Sequence, residues 1–135
     1  MEHGLYNAWN TKFESVHDPV FVRAIVVDNG LSALAIVSID AVGNDVASEM
    51  LQAITEATGI VARNVILVST HDHNGPRISR APPRARNNNP APPPAPGADA
   101  WTRKVIAAVA DAVRQAKAGL QPALMGFGKG AVDIN

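Results

Sequence analysis

The stretch Val65-Ile-Leu-Val-Ser-Thr-His71-Asp-His73-Asn-Gly-Pro76 joins an apolar, β-branched run of strand length to two histidines and a turn. Alternate residues of an extended chain point to the same side, so His71 and His73 are predicted to face one pocket. Neutral imidazole is the commonest metal ligand, and zinc accepts two or three imidazoles alongside a carboxylate. A lone His-x-His pair also occurs on polar surface turns. Spacing alone therefore leaves a metal site and two solvated histidines as alternatives.

A strand and a helix precede this stretch and predict its neighbour in the sheet. Residues 31–39 form an apolar strand, and residues 44–58 carry apolar side chains at helical spacing. Asn44 or Asp45 can cap the start of that helix, and Gly59 stands where a C-terminal glycine belongs. Strand, helix and strand within about forty residues make a βαβ unit. The strands at 31–39 and 64–70 are therefore expected to be adjacent and parallel.

Asp40 follows the first of these parallel strands directly. Ligands in open α/β sheets bind at the carboxyl ends of the strands, so Asp40, His71 and His73 are predicted to share one edge of the sheet. The Asp40 carboxylate can orient a histidine or bind a metal directly. Capping of the following helix is the structural alternative, and the two interpretations have equal weight.

A β-hairpin is predicted before the βαβ unit. Residues 21–28 and 31–39 are both strand-like, and Asn29-Gly30 between them is typical of a type I′ turn, which needs positive φ at both central positions. Both strands are apolar at nearly every position, which predicts burial on both faces of the sheet. Residues 1–18 show no clear periodicity.

The segment at 77–98 has a different composition, since seven of the ten prolines lie in it. Such a segment cannot complete backbone ladders and is predicted to be a loop, placed to act as a lid or mouth directly after the histidines. Its arginines could contact an anionic substrate group or form a solvated charged run: Arg77, Arg80, Arg84 and Arg86.

A second helix and a last strand complete the predicted fold. Asp99 is expected to cap a helix whose apolar stripe runs from Trp101 to Ala116 and which ends at Gly119, and residues 123–128 are strand-like. The predicted fold class is α/β. Its mixed sheet has an N-terminal β-hairpin, then a βαβ unit and a further αβ unit, with the helices packed on the sheet.

Composition narrows the function classes. The chain has 135 residues, enough for one domain. Twelve basic and twelve acidic residues cancel, so no overall field recruits nucleic acid. No cysteine is present, which excludes disulfides and thiolate metal sites. No run is long enough for a transmembrane segment, and the first residues do not form a signal peptide. The compartment is undetermined, with a secreted or periplasmic location left open for the intact protein, and so is the oligomeric state.

Several stretches resemble the N-terminal catalytic domain of the neutral/alkaline (non-lysosomal) ceramidase family. His71-Asp-His-Asn-Gly-Pro76 is similar to the family's His-Thr-His-Ser-Gly-Pro, with Asp72 in place of Thr and Asn74 in place of Ser. Four further stretches resemble the family in the same order: 17–24, 37–40, 57–65 and 126–135. The resemblance covers residues 17–135, and the proline-rich insertion is untypical of the family.

This resemblance implies a zinc (Zn²⁺) amidase that cleaves the N-acyl bond of a lipid amide such as ceramide. It assigns His71 as a zinc ligand and places His73 beside the metal site. The family's remaining ligands, a further His, a Glu and a Tyr, belong to sequence after Asn135. The expected domain, residues 1–135, is thus part of a longer ceramidase-like catalytic domain, and this part alone is expected to be inactive.

Two other functions stay open at this point. A metal-dependent hydrolase of another substrate class could reuse a His-x-His strand end. A non-catalytic α/β module could carry the two histidines incidentally.

Overall fold

The computed structural model of the chain describes residues 5–7, 11–81, 84–85, 90–91, 93 and 98–133. The strands are β1 (Val22–Asp28), β2 (Ala33–Ile39) and β3 (Val65–Ser69), and the helices are α1 (Ala47–Thr58) and α2 (Ala98–Ala118). A short 3-10 turn, Ala62–Asn64, leads into β3.

The sheet has the strand order β1-β2-β3. β1 pairs with β2 antiparallel, and β2 pairs with β3 parallel, with Ile39 opposite Ser69 at the carboxyl ends. The predicted α/β class and the predicted adjacent parallel strands are therefore confirmed. Half of the proline-rich segment at 77–98, eleven of its 22 residues, lies outside the described residues.

The hairpin loop differs from the predicted type I′ turn. Asp28 pairs with Ala33, so the loop spans the four residues 29–32, and Gly30 has positive φ while Asn29 does not. The Asn29 side chain explains the longer loop, because its Oδ1 accepts hydrogen bonds from the backbone N–H groups of Leu31 and Ser32. A side chain that mimics a backbone turn in this way is a known property of asparagine.

One face of the sheet is buried and the other is exposed, so the prediction of burial on both faces is wrong. The inward residues of the central strand β2 are Ala35, Val37 and Ile39, and they are nearly inaccessible to solvent. Their neighbours Leu34 and Ile36 point away and stay exposed. The physical reason is that α1 and α2 join the same core cluster on the inner face, which leaves the outer face uncovered among the described residues.

Helix α1 begins at Ala47, three residues later than predicted, and neither Asn44 nor Asp45 caps it. The Asp45 carboxylate instead accepts a hydrogen bond from the Ser79 hydroxyl at 2.6 Å. The buried face of α1 is formed by Met50 and Ile54, as the periodicity predicts. Both side chains belong to the core cluster that also contains Val37 of β2 and Val109 of α2.

Helix α2 starts at Ala98, so Asp99 lies in its first turn and is not its cap. The buried stripe of this helix consists of Thr102, Val105, Val109 and Val113. Its last turn approaches the end of α1, where Lys117 Nζ donates to the Thr58 carbonyl oxygen at 2.6 Å. The two helices therefore run in the same direction.

The strand predicted at 123–128 does not form. Residues 120–133 have no regular secondary structure and are exposed throughout. Sequence propensity is not enough here, because a strand needs a hydrogen-bonding partner and these residues pair with no strand of the described sheet.

Gly59 ends α1 in the left-handed conformation, with φ of 74°, and its N–H bonds to the Thr55 carbonyl. A side chain strains that conformation, so we expect Gly59→Ala to lower the free energy of unfolding by about 1 kcal/mol in a urea titration. Gly119→Ala is the matched control at the end of α2. Gly119 has no positive φ, and an added Cβ would meet only ordinary contacts. Equal losses in the two variants would contradict this account.

Candidate metal site at the carboxyl edge of the sheet

The candidate site lies where β2 and β3 end side by side. The Thr70 N–H donates to the Ile39 carbonyl oxygen at 3.0 Å, which extends the pairing one residue beyond β3. Asp40 therefore follows β2 at the edge from which the chain continues into His71 and His73. The predicted shared edge is present as a backbone arrangement.

The two histidine rings lie in contact. Their centroids are 4.9 Å apart with an interplanar angle of 70°. Two imidazoles bound to one tetrahedral zinc, with nitrogens about 2.0–2.1 Å from the metal, have centroids roughly 5 Å apart. The spacing of the rings is thus compatible with a shared ion, and it is also compatible with a metal on His71 and His73 next to it.

The reason for this contact differs from the sequence argument. β3 ends at Ser69, so alternation along a strand does not apply to residues 71 and 73. Instead, His71 adopts φ of 65° and turns the chain at that point. Among the described residues it is the one non-glycine with positive φ, a conformation that costs a non-glycine residue roughly 1 kcal/mol or more. Backbone strain of this kind is concentrated at functional sites.

Asp40 is held by β1. Its carboxylate accepts a hydrogen bond from the Phe21 N–H at 3.0 Å, and Arg23 Nη1 lies 3.0 Å from both carboxylate oxygens. The Asp40 side chain is 20% exposed, and the Arg23 guanidinium also stacks over the Phe21 ring at 4.8 Å. Asp40 therefore does not cap α1. Its predicted role toward the histidines stays a prediction.

Gly75 packs the histidine turn onto the end of β2. A Cβ at this position would lie 3.2 Å from the backbone oxygen of Asp40 and 3.6 Å from Asp72 Oδ2. Asp72 itself stabilises the turn, because its Oδ1 accepts a hydrogen bond from the Asn74 N–H at 2.8 Å. Glycine therefore permits this close approach, whereas a larger residue would require the turn or the strand end to shift by a few tenths of an ångström.

The residues after the turn are anchored to the helices. Ile78 is buried and forms a parallel bridge with Asn44, and its carbonyl accepts a hydrogen bond from the Asp45 N–H. Thr102, on α2, donates from its hydroxyl to the Ser79 carbonyl at 3.2 Å. These contacts hold the far end of the histidine turn at the amino ends of both helices.

Arg80 extends this anchor and does not reach the histidines. It makes ion pairs with Glu49 of α1 and Asp99 of α2. The hydrogen bonds from Arg80 lower the pKa of Glu49 below its ordinary value. The pair therefore stabilises the fold above the ordinary pKa of a glutamate, and that contribution is lost on acidification through the lowered value. Solvent-exposed ion pairs of this kind contribute little to the stability of the fold.

Arg77 contacts the N-terminal arm. Its Nε donates to the Asn7 carbonyl at 3.0 Å, and its N–H donates to the Tyr6 carbonyl at 3.2 Å. Arg77 and Arg80 thus make contacts within the fold and are not simply a solvated charged run. A contact of these arginines with an anionic substrate group stays a prediction. Nothing is described for Arg86.

The described residues do not complete a metal site. In the part of the chain that the structure describes, no three His, Asp or Glu side chains are grouped so that they could hold a metal ion. Catalytic zinc normally has three protein ligands, so the donor set fits zinc only as an incomplete shell.

A cavity of about 350 Å³ lies away from the histidines, beside the hairpin loop and the end of α1, with Ser32, Asn64 and Lys117 among its lining residues.

The sequence argument missed Arg23 as the partner of Asp40. A charged residue within an otherwise apolar strand was the available signal. With a two-residue turn at 29–30, however, Arg23 would lie opposite Ile36. The four-residue loop shifts the register by two and brings Arg23 opposite Ser38, next to Asp40.

Comparison of the chain with protein-family models, curated proteins and solved structures found no match. None of the described helices is both long and apolar enough to cross a membrane.

Proposed function

We propose that this chain is part of a zinc-dependent amidase that cleaves the N-acyl bond of a ceramide-like lipid, with His71 as a zinc ligand and His73 beside the metal. The observation that supports this proposal most is the contact of the two imidazoles at the carboxyl edge of a parallel strand pair. The resemblance of residues 17–135 to the ceramidase family supplies the reaction class.

The residues at this edge have separate tasks in the proposed site. His71 would contribute an imidazole nitrogen to the metal, and its ring contacts that of His73 at the turn where His71 has positive φ. The ring of His73 contacts that of His71, so His73 would lie beside the bound metal. Asp72 and Gly75 fix the turn that carries both rings. Zinc held by these residues would lower the pKa of a bound water and would stabilise negative charge on the amide oxygen.

Zinc titration of the metal-free 135-residue chain tests the proposal. We expect weak binding, because two imidazoles leave the shell open, and no cleavage of a labelled ceramide. His71→Ala should weaken zinc binding about tenfold or more, since even partners that only orient a ligand are worth about 10–100-fold in affinity. The control is His17→Ala, because His17 is 95% exposed and bonded to Asp18.

Two results would count against the proposal. Zinc binding that survives His71→Ala unchanged would place the metal elsewhere. A wild-type chain that binds no zinc at all would favour the non-catalytic α/β module.

A further inference from the structure

Asparagine followed by glycine occurs twice in this chain, as Asn29-Gly30 and as Asn74-Gly75. Such a pair is chemically labile, because a glycine has no Cβ that would shield its backbone nitrogen from the asparagine side chain. Both asparagines are exposed to solvent, so access to water does not distinguish them. The two pairs differ in the hydrogen bonds around the groups that react.

Hydrogen bonds hold both reacting groups of the first pair. Asn29 Oδ1 accepts from the backbone N–H groups of Leu31 at 3.0 Å and Ser32 at 2.9 Å, which fixes the side-chain amide. The Gly30 N–H donates to Asp28 Oδ1 at 2.8 Å. Attack of the Gly30 nitrogen on Asn29 Cγ therefore requires the hairpin loop to open first.

The second pair has neither restraint. The backbone N–H of Asn74 donates to Asp72, but among the described residues neither the Asn74 side chain nor the Gly75 N–H makes a hydrogen bond. Gly75 is buried and lies close to the backbone oxygen of Asp40, so the attacking nitrogen is held in place. The exposed Asn74 side chain can rotate to bring its Cγ to that nitrogen, and such proximity accelerates intramolecular attack.

We propose that Asn74 is a site of spontaneous deamidation in the folded protein, and that Asn29 is protected from the same reaction. The product at position 74 carries a carboxylate in place of a neutral amide, directly after His73. Carboxylates bind zinc alongside imidazoles, so the modification changes both the charge and the donor set of the histidine turn. The reaction itself needs no metal, and it takes place whether or not the turn binds zinc.

The reaction balances with water as the one co-reactant. The Gly75 nitrogen loses its proton to solvent base and forms a bond to Asn74 Cγ. The bond from Cγ to the side-chain nitrogen breaks, and that nitrogen takes up a proton and leaves as ammonia. Water then adds to either carbonyl of the cyclic succinimide. Opening at Cγ gives aspartate, and opening at the backbone carbonyl gives isoaspartate, whose main chain runs through Cβ and Cγ.

Peptide mapping by mass spectrometry tests the proposal on the whole chain, incubated in the folded state at mildly alkaline pH. Trypsin separates the two sites, because Asn29 lies in the peptide 24–63 and Asn74 in the peptide 64–77. We expect Asn74 to convert about tenfold faster than Asn29 or more, since the hydrogen bonds of the hairpin loop must break before Asn29 reacts. In urea, where those bonds are absent, the two rates should approach each other.

Two variants serve as matched controls. Asn74→Gln removes the site, because glutamine would have to close a larger ring, and the mass increase of the peptide 64–77 should disappear. Asp28→Ala frees the Gly30 N–H, so it should raise the rate at Asn29 severalfold and leave the rate at Asn74 unchanged. Circular dichroism verifies that each variant is folded.

A folded chain in which Asn74 does not convert, or converts no faster than Asn29, would overturn the proposal. A mass increase that persists in Asn74→Gln would do the same, because another residue of the peptide would then be the modified one. A rate at Asn29 that Asp28→Ala leaves unchanged would refute hydrogen bonding as the cause of its protection.

Discussion

His71→Ala is expected to abolish zinc content and ceramide cleavage together in a version of the protein that extends past Asn135 and supplies the further ligands. The loss of a ligand leaves the ion with an open coordination shell. Elemental analysis of the purified protein and release of a labelled fatty acid measure the two quantities.

His73→Ala should behave differently under the proposed assignment. A histidine that transfers a proton in the reaction accelerates turnover by about 10²–10⁴-fold. We therefore expect His73→Ala to lower the turnover rate by a factor in this range while the protein retains most of its zinc. His17→Ala again serves as the control and should change neither quantity. Full activity of the His71→Ala protein would refute the assignment of that residue, and complete zinc loss in His73→Ala would make His73 a ligand as well.

The second large effect concerns the core. Ile54 of α1 is completely buried in the core cluster, so Ile54→Ala is expected to lower the free energy of unfolding by about 2–5 kcal/mol. The free energy of unfolding of a native protein is only about 5–15 kcal/mol, so this one substitution removes a large part of the stability. Urea denaturation of dilute protein measures it.

Ile66→Thr is the comparison substitution on the exposed face of the sheet. Ile66 is 49% exposed, and threonine keeps the branched side chain that strands favour. We expect a loss of less than about 1 kcal/mol in dilute protein, because little area leaves a buried environment. A loss as large as that of Ile54→Ala would show that the outer face is part of the core in the free chain.

Hydrophobic periodicity and turn residues were enough to predict the order and type of the elements from β1 to α2. Helical periodicity placed Met50 and Ile54 on the buried side of α1, and Gly59 marked where that helix ends. The βαβ spacing was sufficient to make β2 and β3 adjacent and parallel, because a short crossover allows almost no other arrangement. The edge shared by Asp40 and the histidines follows from that local rule.

The details of the candidate site depend on contacts between residues far apart in the sequence, which local patterns do not predict. The Asn29 side chain accepts a backbone hydrogen bond that stabilises the longer hairpin loop. The resulting register brings Arg23 next to Asp40, with which it forms an ion pair. The contact of His71 with His73 depends on a positive φ that spacing does not predict.

Which face of the sheet is buried also depends on where the helices pack. Apolar residues at every position of a strand predict two covered faces, yet both helices pack on one side of the sheet. Periodicity records which side chains favour burial. A side chain becomes buried only where another part of the protein packs against it. Among the described residues, nothing packs against the exposed face of the sheet.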